Sequence, residues 1–222
     1  MSNIELFENQ RASGYDQFVE TWIPNYHYFM DIAPKLLKNI QNNSLLVAGC
    51  GTGNEIKRFV RDNKNWKITG IDPSPEMLSQ AIDSLKTYKT VNLIEGVVAD
   101  LDKTEKFGAA TLLLVLHFIE DNGAKKELLK DIADRLESNA PFILLDITGD
   151  KEQIKGNLEI LKALLPQGLN EDDLHERLKR IEHKLHAVSE ERLTELLTNA
   201  GFNKPLRFFQ NSIYMGWITQ KK

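Results

Sequence analysis

Short apolar runs alternate with amphipathic stretches along most of the chain, and that alternation predicts strands and helices in turn. Leu45-Leu46-Val47-Ala48 is an apolar run closed by glycines and reads as a buried strand. Over 54–62, Ile56, Phe59 and Val60 share one helical face. Trp66 to Ile71 is a second strand ending at Asp72-Pro73, and over 76–88 Met77, Leu78, Ala81, Ile82 and Leu85 recur at helical spacing. Val91 to Ile94 (extendable to Val98), Thr111 to Leu116 and Phe142 to Ile147 read as further strands, with a helix over 123–137 between the last two. The order β-α-β-α-β, then β-α-β, predicts a parallel sheet covered by helices on both faces.

The flanks differ in pattern. Residues 1–43 read as a cover of polar-aromatic helices that break or start at Pro24 and Pro34. Residues 150–188 are highly charged and predict two helices, 151–164 and 171–186, separated at Pro166-Gln167-Gly168. Leu158, Ile160, Leu161, Leu164, Leu165, Leu174, Leu178, Ile181 and Leu185 of this insert must bury somewhere, either on their own domain or against a second subunit. A last helix over 189–199 has Ser189 as N-cap and Gly201 as its stop. From Leu206 to Thr219 the pattern alternates and is rich in aromatics, with a turn at Gln210-Asn211-Ser212, so two strands join the sheet edge.

Composition narrows the classes. At 222 residues the chain fits one α/β domain, or at most two small ones. Lys plus Arg is 28 and Asp plus Glu 32, a net charge of −4 with no basic block, so phosphate-driven nucleic-acid binding is not expected. One cysteine excludes an intrachain disulfide. The longest nearly apolar run, Ala109 to Leu116, is far short of the roughly 20 residues of a membrane helix, and the polar N-terminus has no signal-peptide core. A cytoplasmic protein is the expectation.

The candidate chemistry sits at the first strand-to-helix crossover. Gly49-Cys50-Gly51-Thr52-Gly53 lets the backbone turn tightly and a ligand approach the main chain. The spacing is G-x-G-x-G; it is neither G-x-G-x-x-G nor a Walker loop. About 20 residues on, Asp72 ends the second strand, where a carboxylate can accept both ribose hydroxyls of an adenosine ligand. Asp72-Pro73-Ser74-Pro75 also fits a plain turn into a helix. Cys50 reads as a small residue filling the glycine turn.

These residues resemble the class I S-adenosylmethionine-dependent methyltransferases, through LLVAGCGTGNE (45–55), ITGIDPSPEMLSQA (68–81), VVADL (97–101), TLLLVLHFIED (111–121) and AGF (200–202). The resemblance implies an α/β, Rossmann-like seven-stranded sheet, mostly parallel, with helices on both faces and an antiparallel edge strand, here carrying the helical insert. It implies S-adenosyl-L-methionine as cofactor. Gly49, Gly51 and Gly53 would line its methionine part, Asp72 would hold the ribose and Met77 would pack on the adenine. Asp100 would accept from the adenine amino group with the Leu101 backbone beside it, and the backbone near Val115 would face the methionine ammonium. Tyr15 and Arg11 of RASGYD (11–16) would close over the methionine end, Arg11 on its carboxylate. One departure is Val47, where the family often has an acid two residues before the first glycine.

Methyl transfer from a sulfonium is an in-line displacement that needs alignment and exclusion of water, and a base only for a protonated nucleophile. His117, directly after the fourth strand, is the candidate base, since imidazole titrates near neutrality; the alternative is a histidine that shapes the pocket. Tyr26, His27 and Tyr28 could face the site or form an ordinary helix face. His175, His183 and His186 lie near one helix face without a convincing third ligand, so no metal is expected. The leading expectation is methyl transfer to a small-molecule acceptor. The tail LRFFQNSIYMG (206–216) is similar to the carboxy-S-adenosylmethionine synthases, which remake the cofactor, although no arginine is clearly placed for the added carboxylate. A non-catalytic cofactor-binding protein is a further alternative. An NAD-dependent reductase suits Asp72 but not the loop spacing.

Overall fold

The structure is a computed structural model that describes residues 5–38 and 40–222. Seven strands form one sheet in the order β3-β2-β1-β4-β5-β7-β6. They are β1 (Ser44–Ala48), β2 (Lys67–Asp72), β3 (Val91–Glu95), β4 (Ala109–Leu113), β5 (Pro141–Ile147), β6 (Leu206–Asn211) and β7 (Tyr214–Gln220). The first five run parallel, and β7 pairs antiparallel with both β5 and β6. The helices are α1 (Asn9–Ser13), α2 (Tyr15–Trp22), α3 (Tyr26–Leu36), α4 (Asn54–Asp62), α5 (Pro75–Leu85), α6 (Ala124–Asp134), α7 (Lys151–Leu164), α8 (Glu171–Lys184) and α9 (Glu190–Asn199).

Strand periodicity sorts side chains onto two cores. Leu45 and Val47 of β1, with Ile143 and Leu145 of β5, bury against α3, α4 and α5. Leu46 and Ala48, with Leu112, Phe142 and Leu144, bury against α6 and α9. From the insert, Leu158 and Leu161 of α7, Leu165 directly after it, and Ile181 of α8 join the first core, whereas Ile160 and Leu164 are exposed. Asp150 and Asn170 cap the two insert helices through their side chains.

Several boundaries differ from the pattern. The fourth strand starts earlier, at Ala109, because two alanines give little strand signal yet bury completely between β1 and β5. It stops at Leu113 because Leu114 turns to φ +61°, and a 3₁₀ turn over Leu116–Phe118 follows. The third strand ends at Glu95, where Gly96 at φ +145° leads into a 3₁₀ turn over Val98–Asp100. Pro34 does not break a helix: it lies inside α3 near its end, where the missing N–H removes a single bond. The last hairpin closes at Asn211 and Tyr214, with Ser212 at φ +50° in the turn.

Candidate functional site

Strand order reverses between β1 and β4, so the crevice outside their carboxyl ends is where an open α/β sheet takes its ligand. A cavity of about 810 Å³ opens there. Its walls come from the ends of β1, β2 and β4, from 96–99 after β3, and from the N-terminal segment through Glu5, Phe7 and Tyr15.

The glycine turn is fixed by its surroundings. Gly49, Gly51 and Gly53 hold φ of +70°, +51° and +78°, a region that favours glycine. A Cβ on Gly49 would meet Val115 Cγ2 at 2.4 Å, and one on Gly51 would meet Met77 Cε at 3.2 Å. On Gly53 it would meet Leu85 Cδ1 at 2.7 Å, so that glycine serves the close packing of α5 and does not line the cavity. Gly49 and Cys50 both donate to the Ile71 carbonyl, at 2.8 and 3.1 Å. Cys50 is buried, which pushes its thiol pKa up, away from reactivity.

Asp72 ends β2 at the cavity wall. Its Oδ2 accepts from the Gly51 N–H at 2.9 Å and its Oδ1 from the Ser74 N–H at 2.9 Å. Burial raises its pKa, and the bonds from Ser74 and Gly51 oppose the shift. One carboxylate thus ties the glycine turn to the start of α5 while facing the ligand space. Met77, buried, lines the same wall. Val47 is fully buried in the first core and does not reach the cavity.

Other sequence candidates lie elsewhere. Asp100 caps its own 3₁₀ turn, accepting from the Val97 N–H at 2.9 Å, and the Leu101 carbonyl accepts from Arg135 Nη2 at 2.6 Å. Neither lines the cavity; Val97, Val98 and Ala99 do. Arg11 pairs with Glu5 at 2.6 Å and lies over the Phe7 ring, and Glu5 also takes Arg180 of α8 at 2.5 Å. Val115 and Tyr15 line the cavity. Burial and the nearby Asp72 charge raise the Tyr15 pKa. Tyr26 is buried, His27 pairs with Glu20 at 3.4 Å, and Tyr28 is exposed. No three metal-ligating side chains gather among the described residues.

His117 is buried beside the cavity. Its Nδ1 meets Asp146 Oδ1 at 2.8 Å, its ring lies 4.0 Å from that of Phe118, and Phe118 forms the wall. Asp146, unremarked in the sequence, also accepts from the backbone N–H groups of Leu116 at 2.7 Å, His117 at 3.1 Å and Ile147 at 2.8 Å. One carboxylate therefore organises the turn after β4. Lys125 closes this layer, donating to the Leu116 carbonyl at 2.5 Å; desolvation lowers its pKa to about 8 against the pull of Asp146. His186 lines the cavity instead, held by its N–H on the His117 carbonyl at 2.8 Å. The sequence hint for Asp146 was an acid inside an otherwise apolar strand.

Comparison with known proteins agrees with this geometry. Residues 46–142 match the profile of a methyltransferase domain. The chain is 30% identical to carboxy-S-adenosyl-L-methionine synthase 1 of Yersinia pseudotuberculosis over 98% of its own length and 95% of that protein. Among solved structures it is similar to magnesium protoporphyrin IX methyltransferase of Synechocystis with bound S-adenosylhomocysteine, with TM-score 0.66, 14% identity and 95% of each chain covered. It is also similar to an O-methyltransferase family protein of Burkholderia thailandensis, with TM-score 0.66 and 15% identity over 97% of this chain, which spans 61% of that protein. The chain belongs to the class I S-adenosylmethionine-dependent methyltransferase family. Membership of that family makes the chain an S-adenosyl-L-methionine-dependent enzyme. No helix among the described residues is long and apolar enough to cross a membrane.

Proposed function

We propose that the chain transfers the cofactor's methyl group to a small-molecule acceptor by in-line displacement, within one domain spanning 1–222 whose cover (1–43) and insert (150–188) frame the acceptor. The observation that carries this is the cavity of about 810 Å³, within the range for small ligands, at the sheet's switch point and walled by Tyr15, Phe7 and Phe118. The residues fit the cofactor: a Cβ on Gly49 or Gly51 would intrude on the wall, and the Asp72 carboxylate faces the same space.

Bound there, the cofactor supplies an electrophilic methyl on a sulfonium. In this reading Asp72 holds the ribose, Gly49, Gly51 and the backbone at Val115 hold the methionine part, and Met77 with Val98 and Ala99 sandwiches the adenine. Phe7 and Tyr15, whose rings meet edge-on with centroids 5.5 Å apart, exclude water. His117, its Nδ1 on Asp146 and its ring behind Phe118, acts as a positioning residue for the turn after β4. Incubation with S-adenosylmethionine and a panel of small alcohols, amines, thiols and acids, followed by mass spectrometry, tests the proposal. Acceptor-dependent release of S-adenosylhomocysteine is expected; release with none of the panel would contradict it.

The whole-length match to a carboxy-S-adenosyl-L-methionine synthase supports a second reading, remaking of the cofactor. Besides Tyr15, the ionisable side chains that line the cavity are Glu5, Asp72, Glu120, Glu127, Asp131 and His186, so carboxylates outnumber bases around any added carboxylate. A cofactor heavier by one carboxylate in the same assay would establish that second reading.

A further inference from the structure

Arg135 closes α6 and is wholly buried, yet it is barely neutralised. Among the described residues its one carboxylate neighbour is Asp131, with Oδ1 at 3.4 Å. The guanidinium turns its donors to main-chain carbonyls instead. Nη1 donates to the Asp131 carbonyl at 2.9 Å, and Nη2 to those of Ala99 at 2.8 Å and Leu101 at 2.6 Å. Nε also reaches the Leu101 carbonyl, at 3.2 Å. Asp131 lies in the last turn of α6, and Ala99 and Leu101 stand at the end of the 3₁₀ turn over Val98–Asp100. The last carbonyls of a helix have no partner within it, so one cation satisfies the open ends of two helical segments.

The second of those segments is a wall of the cavity. Val97, Val98 and Ala99 line it, while Arg135 stands behind them. A single 3₁₀ turn has poor hydrogen-bond geometry and keeps its shape only with outside support. At the start of this turn the Gly96 N–H donates to the Asp72 carbonyl at 3.1 Å, and the Val97 N–H to Asp100 Oδ2 at 2.9 Å. At its end the support is Arg135. The same side chain ties the turn to α6, whose Leu128 and Asp131 also line the cavity, so it sets how far apart these two faces stand.

We propose that Arg135 is a positioning residue for adenine: from behind the wall it fixes the main chain of 97–101 and with it the selectivity of the site for adenine over other purines. This rests on the reading that places the adenine at Val98 and Ala99, and the test separates the two. A wall of main-chain groups reads a base edge only while its peptide planes are held still. Hypoxanthine has the size of adenine but presents a donor at N1 and an acceptor at C6, the reverse of adenine, so a fixed wall rejects it through groups left unpaired. Stacking alone would accept both bases.

Wild-type protein, Arg135→Lys and Arg135→Met are titrated calorimetrically with S-adenosylhomocysteine and S-inosylhomocysteine. Leu197→Ala, in the second core on α9, is the control for lost stability. The wild type should bind the adenosyl ligand at least ten-fold more tightly than the inosyl one. Arg135→Met should shrink that ratio at least five-fold, and Arg135→Lys, which keeps a cation for one carbonyl, should shrink it less. Amide hydrogen exchange at Asp100 and Leu101 should quicken in both. Leu197→Ala should lower the thermal midpoint and leave the ratio as it was. If Arg135→Met does not fold, the ratio in Arg135→Lys decides. A wild type without preference, a ratio unchanged in the folded Arg135 variants, or a ratio lowered as much by Leu197→Ala would overturn the assignment. Failure of the wild type to bind S-adenosylhomocysteine would instead overturn the cofactor reading beneath it.

Discussion

Glu55 sits in the first turn of α4, directly behind the glycine turn, and is almost wholly buried. Its Oε1 has no hydrogen-bond partner among the described residues. Desolvation raises its pKa from 4.5 to about 7, and the neighbouring Thr111 hydroxyl pulls weakly the other way. The folded protein therefore keeps a proton that the unfolded chain releases between these two values. With more protons bound in the folded state, stability falls as pH rises through that window. A shift of this size corresponds to about 3 kcal/mol at full ionisation.

Glu55→Gln removes the ionisation and keeps the shape. Near pH 4.5 the two proteins should differ little. Near pH 8 the variant should be more stable, by up to about 3 kcal/mol, less what its buried amide costs in lost hydration. Urea unfolding at both pH values reads the difference through the midpoint at constant slope. Parallel pH profiles for the two proteins, or a variant equally destabilised at both, would refute the argument that burial sets this group's charge.

Two further outcomes follow from the site's construction. Gly49→Ala places a methyl at φ +70° against Val115 Cγ2, so it should lose about 2–4 kcal/mol of stability, and Val115→Ala in the same chain should restore part of the loss in a double-mutant cycle on urea midpoints. His117→Gln should raise the KM for cofactor and lower kcat without moving the pH–rate profile, because the ring serves the turn through Asp146; loss of the profile's acid limb would make it the base.

Much of the fold was legible because its signals are local. Leu45 to Ala48 followed by three glycines announces a strand and its crossover, and Ser189 with Gly201 marks both ends of α9. Ala109 and Ala110 were hidden, since their burial comes from β1 and β5 on either side and not from their own propensity. The site divides in the same way. Gly49, Gly51, Asp72, Met77 and Val115 follow from the motif and share one cavity. Glu5, Phe7 and His186 reach it from both flanks through tertiary contacts, such as the Phe7 N–H on Ser74 Oγ at 3.0 Å, that no sequence spacing encodes. Arg135 looked like one more charge at the end of an amphipathic helix; only the fold shows its guanidinium on the carbonyls of Ala99 and Leu101.

The cofactor site rests on the glycine turn and Asp72. Calorimetric titration of wild-type protein and Asp72→Ala with S-adenosylhomocysteine, with NADH as control, tests it most directly. Micromolar binding by the wild type, none of NADH, and a loss of about 1–3 kcal/mol in a folded variant is the predicted result. Unchanged affinity in the variant would contradict the account.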